Sequence, residues 1–177
     1  MRSPEDLLRA RLFERRIVFL RGALDDTVAG DVAAQLMMLD ASGDEAVQLH
    51  IDSSGGPLEP AFVLIDTIGL LGVSVHAVCV GRAEGAAVGV LAAAEVRRAA
   101  RHARFRLSQP DEQVGGIARD IEAWVAHKQR LLDEFHRYLA DATGRPLELV
   151  EADTAAGRYL DAEEAMTYGL VHEVWRQ

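Results

Sequence analysis

Short apolar runs rich in branched side chains alternate along this chain with longer segments in which apolar residues recur every three or four positions. The runs occupy residues 16–21, 46–51, 75–80 and 104–107. Runs of this kind are typical of buried strands, and the segments between them have helical spacing. The alternation predicts βα units around a buried parallel sheet, and therefore an α/β fold.

The predicted helices begin and end at residues that suit helix termini. Asp25 or Asp26 can cap a first helix. Pro57 suits the first turn of a second helix, which Gly72 can end. The longest helix is predicted over about residues 119–143, where large apolar side chains form one broad stripe.

The last part of the chain predicts one further helix and strand. Asp161 is followed three residues later by Glu164, which is the spacing of a capping box. The apolar residues of 170–175 could then close the sheet. We expect a single domain, because no linker or internal repeat divides the sequence.

Composition and charge exclude several classes of protein. The chain has 177 residues, of which 49% are hydrophobic, and a net charge of -9. It is therefore a folded protein, and its charge is the wrong sign for neutralising phosphates, so we expect no nucleic-acid partner. The apolar stretch 75–94 is interrupted by charged residues, so no membrane span is expected. The single Cys79 and the charged N-terminus, which lacks the features of a signal peptide, favour a cytoplasmic location.

Two glycine-containing junctions are candidates for chemistry. The sequence DSSGG at 52–56 follows a predicted strand, where glycine amides can bind an anion or form a tight turn. The junction at 81–89 fits neither dinucleotide nor triphosphate motifs, and its evenly spaced glycines indicate close packing of a small-residue helix. The six histidines lack the spacing of metal ligands, so no metal is expected. No cofactor is expected either, because no nucleotide-binding motif is present.

In their order along the chain, these segments resemble the proteolytic subunit of the Clp protease, ClpP, which has the crotonase-like superfold. The resemblance covers nearly the whole chain, apart from a short deletion near residues 96–103. Its segments include RLFERRIVFLRGALDD, VQLHIDSSGGPLEPAFVLIDT, VCVGRAEGAAVGVLAAA, RFRLSQP and RPLELVEADT. It implies a head (16–110 and 144–177) behind an N-terminal segment (1–15), and a protruding strand-plus-helix handle (111–143).

The resemblance also identifies the positions of a catalytic triad, and none of them carries its expected side chain. Members of the family are serine peptidases. The position of the nucleophilic serine is Gly85, and the histidine that precedes Gln-Pro is replaced by Ser108. The position of the aspartate, which follows an Asp-Thr pair, is Gly157. No catalytic residue is therefore expected, since none of the three can transfer a proton as the triad does.

The backbone donors that stabilise an oxyanion in the family correspond to residues that need no particular side chain. The resemblance places them at Gly55, Gly56 and Ala86, while Glu84 puts a carboxylate where the family has a small residue. A relocated site remains an alternative. The hydroxyl and carboxyl groups that could contribute to one are those of Ser53, Ser54, Ser108, Asp153 and Asp161.

Family members form heptameric rings that stack in pairs and receive substrates from an AAA+ unfoldase. The resemblance assigns the contacts within a ring to the heads and the joining of two rings to the handle. It implies a homo-oligomer, with an active paralogue as a further partner. Ala155 and Ala156 replace a charged pair that helps to join the two rings. The handle residues expected to contribute to assembly are Gly115, Gly116, Trp124, Leu131, Leu132 and Phe135.

The sequence therefore predicts a catalytically inactive ClpP-like subunit with a structural or regulatory role in an oligomer. Two alternatives remain. The first is a divergent ATP-dependent Clp-type peptidase whose nucleophile has moved to another serine. The second is a crotonase-like protein that binds an acyl group or a peptide without hydrolysing it.

Overall fold

A mixed sheet with helices on its faces forms the core of the chain. The computed structural model describes residues 4–110 and 121–175. Five parallel strands pair in the order β1-β2-β3-β4-β7, and β5 pairs with the end of β3 and, antiparallel, with β6. The strands are β1 (Ile17–Ala23), β2 (Val47–Gly55), β3 (Val75–Glu84), β4 (Val96–Ala100), β5 (Arg104–Arg106), β6 (Tyr159–Asp161) and β7 (Glu173–Trp175).

The helices pack against this sheet and against one another. Helix α2 (Asp26–Asp40) contacts β1 and α3 (Leu58–Leu70). Helix α4 (Ala86–Ala92) contacts the strands β2 and β3 and helix α5 (Ile121–Thr143). The fold is α/β with a predominantly parallel sheet, as predicted, and β6 is the antiparallel exception. The helices are α1 (Pro4–Glu14), α2 (Asp26–Asp40), α3 (Leu58–Leu70), α4 (Ala86–Ala92), α5 (Ile121–Thr143), α6 (Leu147–Ala156) and α7 (Ala162–Tyr168).

The predicted helix caps at Asp25 and Asp161 are present. The Asp25 carboxylate accepts a hydrogen bond of 2.8 Å from the Val28 amide at the start of α2. Asp161 and Glu164 form a reciprocal capping box at the start of α7, with bonds of 2.9 and 2.8 Å. These bonds satisfy amides that have no partner within the helix.

Several predicted boundaries were wrong. β2 continues through the DSSGG sequence to Gly55, and β3 continues to Glu84. Pro57 is the residue before α3 rather than part of its first turn. Helix α3 ends at Leu70 with Leu71 as its cap, so Gly72 directly follows the helix end, as predicted. The strands extend because they find partners beyond their apolar stretches: β2 pairs with β1 through Gly55, and the end of β3 pairs with β5.

The expectation of one small-residue helix at residues 81–89 was also wrong. Gly81 lies in β3, Gly85 precedes α4 and Gly89 lies within it, so the three are not on one helix face. β4 was not predicted at all. Its sequence, VRRAA, has a single large apolar residue, and it is a strand because it pairs with both β3 and β7.

Candidate functional site

A small cavity of about 70 Å³ opens where β2, β3 and β5 end. The carboxyl ends of parallel strands meet at one edge of a sheet, which is where α/β proteins commonly bind ligands. Polar groups dominate the lining of this cavity. The lining residues are Ser54, Gly56, Glu84, Gly85, Arg106, Ser108, Gln109 and Pro110.

Two glycines bring the backbone segments around the cavity unusually close together. A Cβ atom on Gly55 would lie 2.4 Å from the Glu84 carbonyl oxygen, and one on Gly56 would lie 1.9 Å from that of Leu24. Gly55 also has φ +77°, which disfavours a side chain. The Cβ position of Gly55 is 3.4 Å from the Ala86 amide nitrogen. The glycine segment and the start of α4 therefore lie against each other, with Gly56 at the cavity.

Two of the three positions that the resemblance aligns with a triad, Gly85 and Ser108, line this cavity, and the third, Gly157, lies next to Arg106. A Cβ on Gly85 would be 3.4 Å from the Ser108 hydroxyl oxygen. A Cβ on Gly157 would be 3.4 Å from Nη2 of Arg106, a residue that lines the cavity. The segments that follow β3, β5 and α6 thus come close together although they are far apart in sequence.

This convergence agrees with the comparison to known families. The sequence model of the Clp protease family matches residues 4–177. The chain belongs to the Clp protease family. The match includes the segments that form the sheet, the cavity and the long helix, so the resemblance inferred from the sequence is confirmed at the level of the family.

Glu84 places a carboxylate in the wall of this Clp-family cavity. Its side chain is 20% exposed and lies 3.6 Å from the Arg82 guanidinium, which is itself half exposed. Arg82 compensates part of the Glu84 charge, and solvent screens the remainder. A negative charge here opposes the formation of an oxyanion nearby.

Most groups considered for a relocated site already have structural partners. The Ser53 hydroxyl is completely buried, donates a 2.7 Å hydrogen bond to the Gly22 carbonyl and accepts one of 3.2 Å from the Gly55 amide. Asp153 forms an ion pair of 3.0 Å with Arg158, and Asp161 caps α7. Ser54 and Ser108 are the two hydroxyl groups of this set that line the cavity.

The cavity lining, as far as the described residues go, contains no imidazole. His172 instead contacts the buried Arg97 side chain, and burial together with that guanidinium lowers the pKa of His172. Burial also lowers the pKa of His136 in α5 and raises that of the Cys79 thiol to about 12. A thiol with so high a pKa, completely buried in β3, is a poor nucleophile.

Arg106 is a cavity residue that the sequence analysis did not identify. It is the last residue of β5, and its guanidinium lies 5.1 Å from the centre of the Tyr159 ring. Its nearness to Ser108 in the sequence was the available signal. The alternation of strand side chains does not connect the two residues, because β5 ends at Arg106.

The handle residues predicted to contribute to assembly have different environments. Phe135 is 1% exposed and packs edge to face on Phe62 at 6.3 Å, so it belongs to the core of the subunit itself. Leu131 and Leu132 are partly buried against the same core. Trp124 is half-buried beside Lys128, which forms an ion pair with Glu59. Gly115 and Gly116 lie outside the described residues.

The first half of α5 nevertheless exposes apolar surface. Ile121 and Val125, one turn apart, are 40% and 51% exposed. In the second half of the helix one face is buried, at Phe135, His136, Leu139 and Ala140. None of the helices in the part of the chain that is described has the length and apolar character needed to cross a membrane.

Proposed function

We propose that this Clp-family chain is a non-hydrolytic subunit with a structural or regulatory role in an oligomeric Clp-type assembly. The observation that carries the proposal is the chemistry of Gly85 and Ser108, which line one cavity, and of Gly157, which lies next to the cavity residue Arg106. Two of these residues have no side chain, and the third has a hydroxyl that cannot act as a base near neutral pH.

The large effect of lacking a triad on kcat supports a complete rather than a partial loss of peptidase activity. In the serine protease subtilisin, removal of the catalytic triad lowers kcat by roughly 10⁶-fold. The activity that remains comes from substrate binding and the oxyanion donors. Here Glu84 also places negative charge beside the site where an oxyanion would form. The cavity is therefore suited to binding rather than to hydrolysis.

The proposal is tested by incubating the purified chain with fluorogenic peptides and with a serine-reactive fluorophosphonate. We expect neither turnover nor covalent labelling. Ser108→Ala and Ser54→Ala serve as controls, because they remove the two cavity hydroxyls. Labelling that disappears in one of these variants would identify a relocated nucleophile and would overturn the proposal.

We also propose that the chain assembles with copies of itself, and with an active family member, through the exposed first half of α5. Support comes from the exposed Ile121 and Val125 and from family membership, since Clp protease subunits form rings. We expect this assembly in the cytoplasm, where the free, buried Cys79 would remain reduced. An AAA+ unfoldase is the expected further partner.

Mass photometry of the chain alone, and then mixed with an active family subunit, tests assembly. Val125→Glu should dissociate the oligomer because it places a charge in the contact. Val63→Glu is the matched control, since Val63 on α3 is equally exposed at 49%. A wild-type chain that is monomeric both alone and in the mixture would contradict assembly.

A further inference from the structure

The cavity contains a cation that has no anionic partner in the described part of the chain. The guanidinium of Arg106 extends from the end of β5 towards Gly157, where the missing side chain leaves room for it. It lies over the Tyr159 ring, which offers a favourable but weak contact for a cation. We propose that the cavity binds a carboxylate group through Arg106.

The hydrogen-bonding groups of Arg106 support this assignment. A guanidinium has five N–H donors, and none of them is bonded to an acceptor among residues 4–110 and 121–175. Its Nε atom is fully buried without a partner. No carboxylate of the described residues lies within 4.0 Å of it. Because an unpaired buried donor is costly and a guanidinium can donate to two oxygens at once, a ligand that supplies two oxygen acceptors is favoured.

The cavity has room for such a group and offers further donors to it. Its volume of about 70 Å³ suits a fragment of a few atoms rather than a large ligand. Gly85 lines it without a side chain that would fill the space. The hydroxyls of Ser54 and Ser108 also line it, and both can donate to a carboxylate oxygen.

Glu84 restricts which anions the cavity accepts. Its carboxylate lines the cavity, but its charge is partly compensated by Arg82 at 3.6 Å, whereas that of Arg106 is not. The remaining negative charge favours a singly charged planar carboxylate over a dianion such as phosphate. This inference rests on the proposed function, because only a subunit that does not hydrolyse peptides would retain a peptide terminus there.

Two kinds of molecule can supply the carboxylate: a peptide, through its C-terminus, and a small free carboxylic acid. The experiment uses a fluorescently labelled tetrapeptide of alanines with a free C-terminus, and the same peptide as its C-terminal amide. Fluorescence anisotropy measures binding to the full chain. Acetate, and separately inorganic phosphate, are added as competitors. Mass spectrometry of each sample reports whether the peptide has been cleaved.

We expect the free acid to bind at least tenfold more tightly than the amide. Arg106→Gln should abolish this difference, whereas Arg104→Gln, which removes an exposed arginine from the same strand, should preserve it. Glu84→Gln should strengthen binding of the acid because it removes the repelling charge. This last variant, with a circular dichroism spectrum for each protein, keeps the test valid if Arg106→Gln does not fold.

The outcomes separate this inference from the proposed function. Displacement of the peptide by acetate assigns the site to any small carboxylate, and resistance to acetate assigns it to a peptide terminus. Equal binding of acid and amide, no binding of either, or preferential displacement by phosphate would overturn the carboxylate site and leave the non-hydrolytic subunit intact. Cleavage of the peptide would instead overturn the proposed function.

Discussion

The glycines around the cavity are of two kinds, and the difference shows which positions the fold constrains. At Gly55 and Gly56 an added Cβ would lie 2.4 and 1.9 Å from a backbone oxygen. At Gly85 and Gly157 it would meet its nearest neighbour at 3.4 Å, which is ordinary contact. Packing therefore requires glycine at the first pair. At the second pair there is space for a side chain, but the φ values of +51° and +66° strain any residue other than glycine. Close packing thus constrains the first pair of glycines, and backbone conformation constrains the second.

The largest expected effect is that of Gly56→Ala. Because its Cβ would overlap the Leu24 carbonyl, the β1–α2 loop must move, and we expect a loss of more than about 3 kcal/mol in the free energy of unfolding. Chemical denaturation measures this. Gly30→Ala is the control, since nothing lies within 4 Å of its Cβ and it is in α2, where alanine should stabilise by about 1 kcal/mol. Equal effects of the two changes would contradict the proposed constraint.

The second expected effect is on peptidase activity. A triple variant that combines Gly85→Ser, Ser108→His and Gly157→Asp carries the three side chains of the family's catalytic triad. The new carboxylate at 157 would pair with Arg106, 3.4 Å from its Cβ, instead of orienting the histidine. We therefore expect the triple variant to remain inactive. Adding Arg106→Met and Glu84→Ala should produce fluorophosphonate labelling and peptide turnover, with a gain of roughly 10³-fold over the triple variant.

Thermal unfolding must accompany that experiment, because Gly85 has φ +51° and a serine there is strained. A restored protein that is folded, retains Arg106 and is nevertheless active would show that Arg106 does not compete for the carboxylate. Restoration of activity by Gly85→Ser alone would contradict the expectation that all three positions matter.

The sequence was sufficient to predict the framework but not the surroundings of the cavity. The apolar runs identified the first three strands, and cap residues such as Asp25 identified helix starts, because these signals are local. β4 was missed because the pairing of VRRAA depends on β3 and β7. Arg106 was missed because its contact with the position of Gly157 joins β5 to the end of α6. Contacts between distant segments leave no periodic pattern in the sequence.

The third expected effect concerns Asp161, which was a candidate acid for a relocated site and is a helix cap in the structure. Asp161→Ala should lower the free energy of unfolding by about 1 kcal/mol, because the Glu164 amide loses its acceptor. Asp25→Ala, which removes the cap of α2, is the matched control and should have a similar effect. Binding of the C-terminal peptide should be unchanged in both variants. A selective loss of binding in Asp161→Ala would place this carboxylate in the site.

The smallest expected effect is a dependence of stability on pH that arises in the core and not in the cavity. His136 is 6% exposed, and burial lowers its pKa despite the opposing effects of Glu151 and Asp133. Since the pKa in the folded state lies below that of the unfolded chain, about 6.5, its neutral form contributes stability that is present above that pH. The contribution is lost as the pH falls below 6.5 towards the folded pKa. The melting temperature should therefore fall less steeply from pH 8 to pH 5 for His136→Gln than for the wild type. The control His102→Gln, at an exposed position, should follow the wild type. Identical slopes in all three proteins would exclude His136 as the source of the pH dependence.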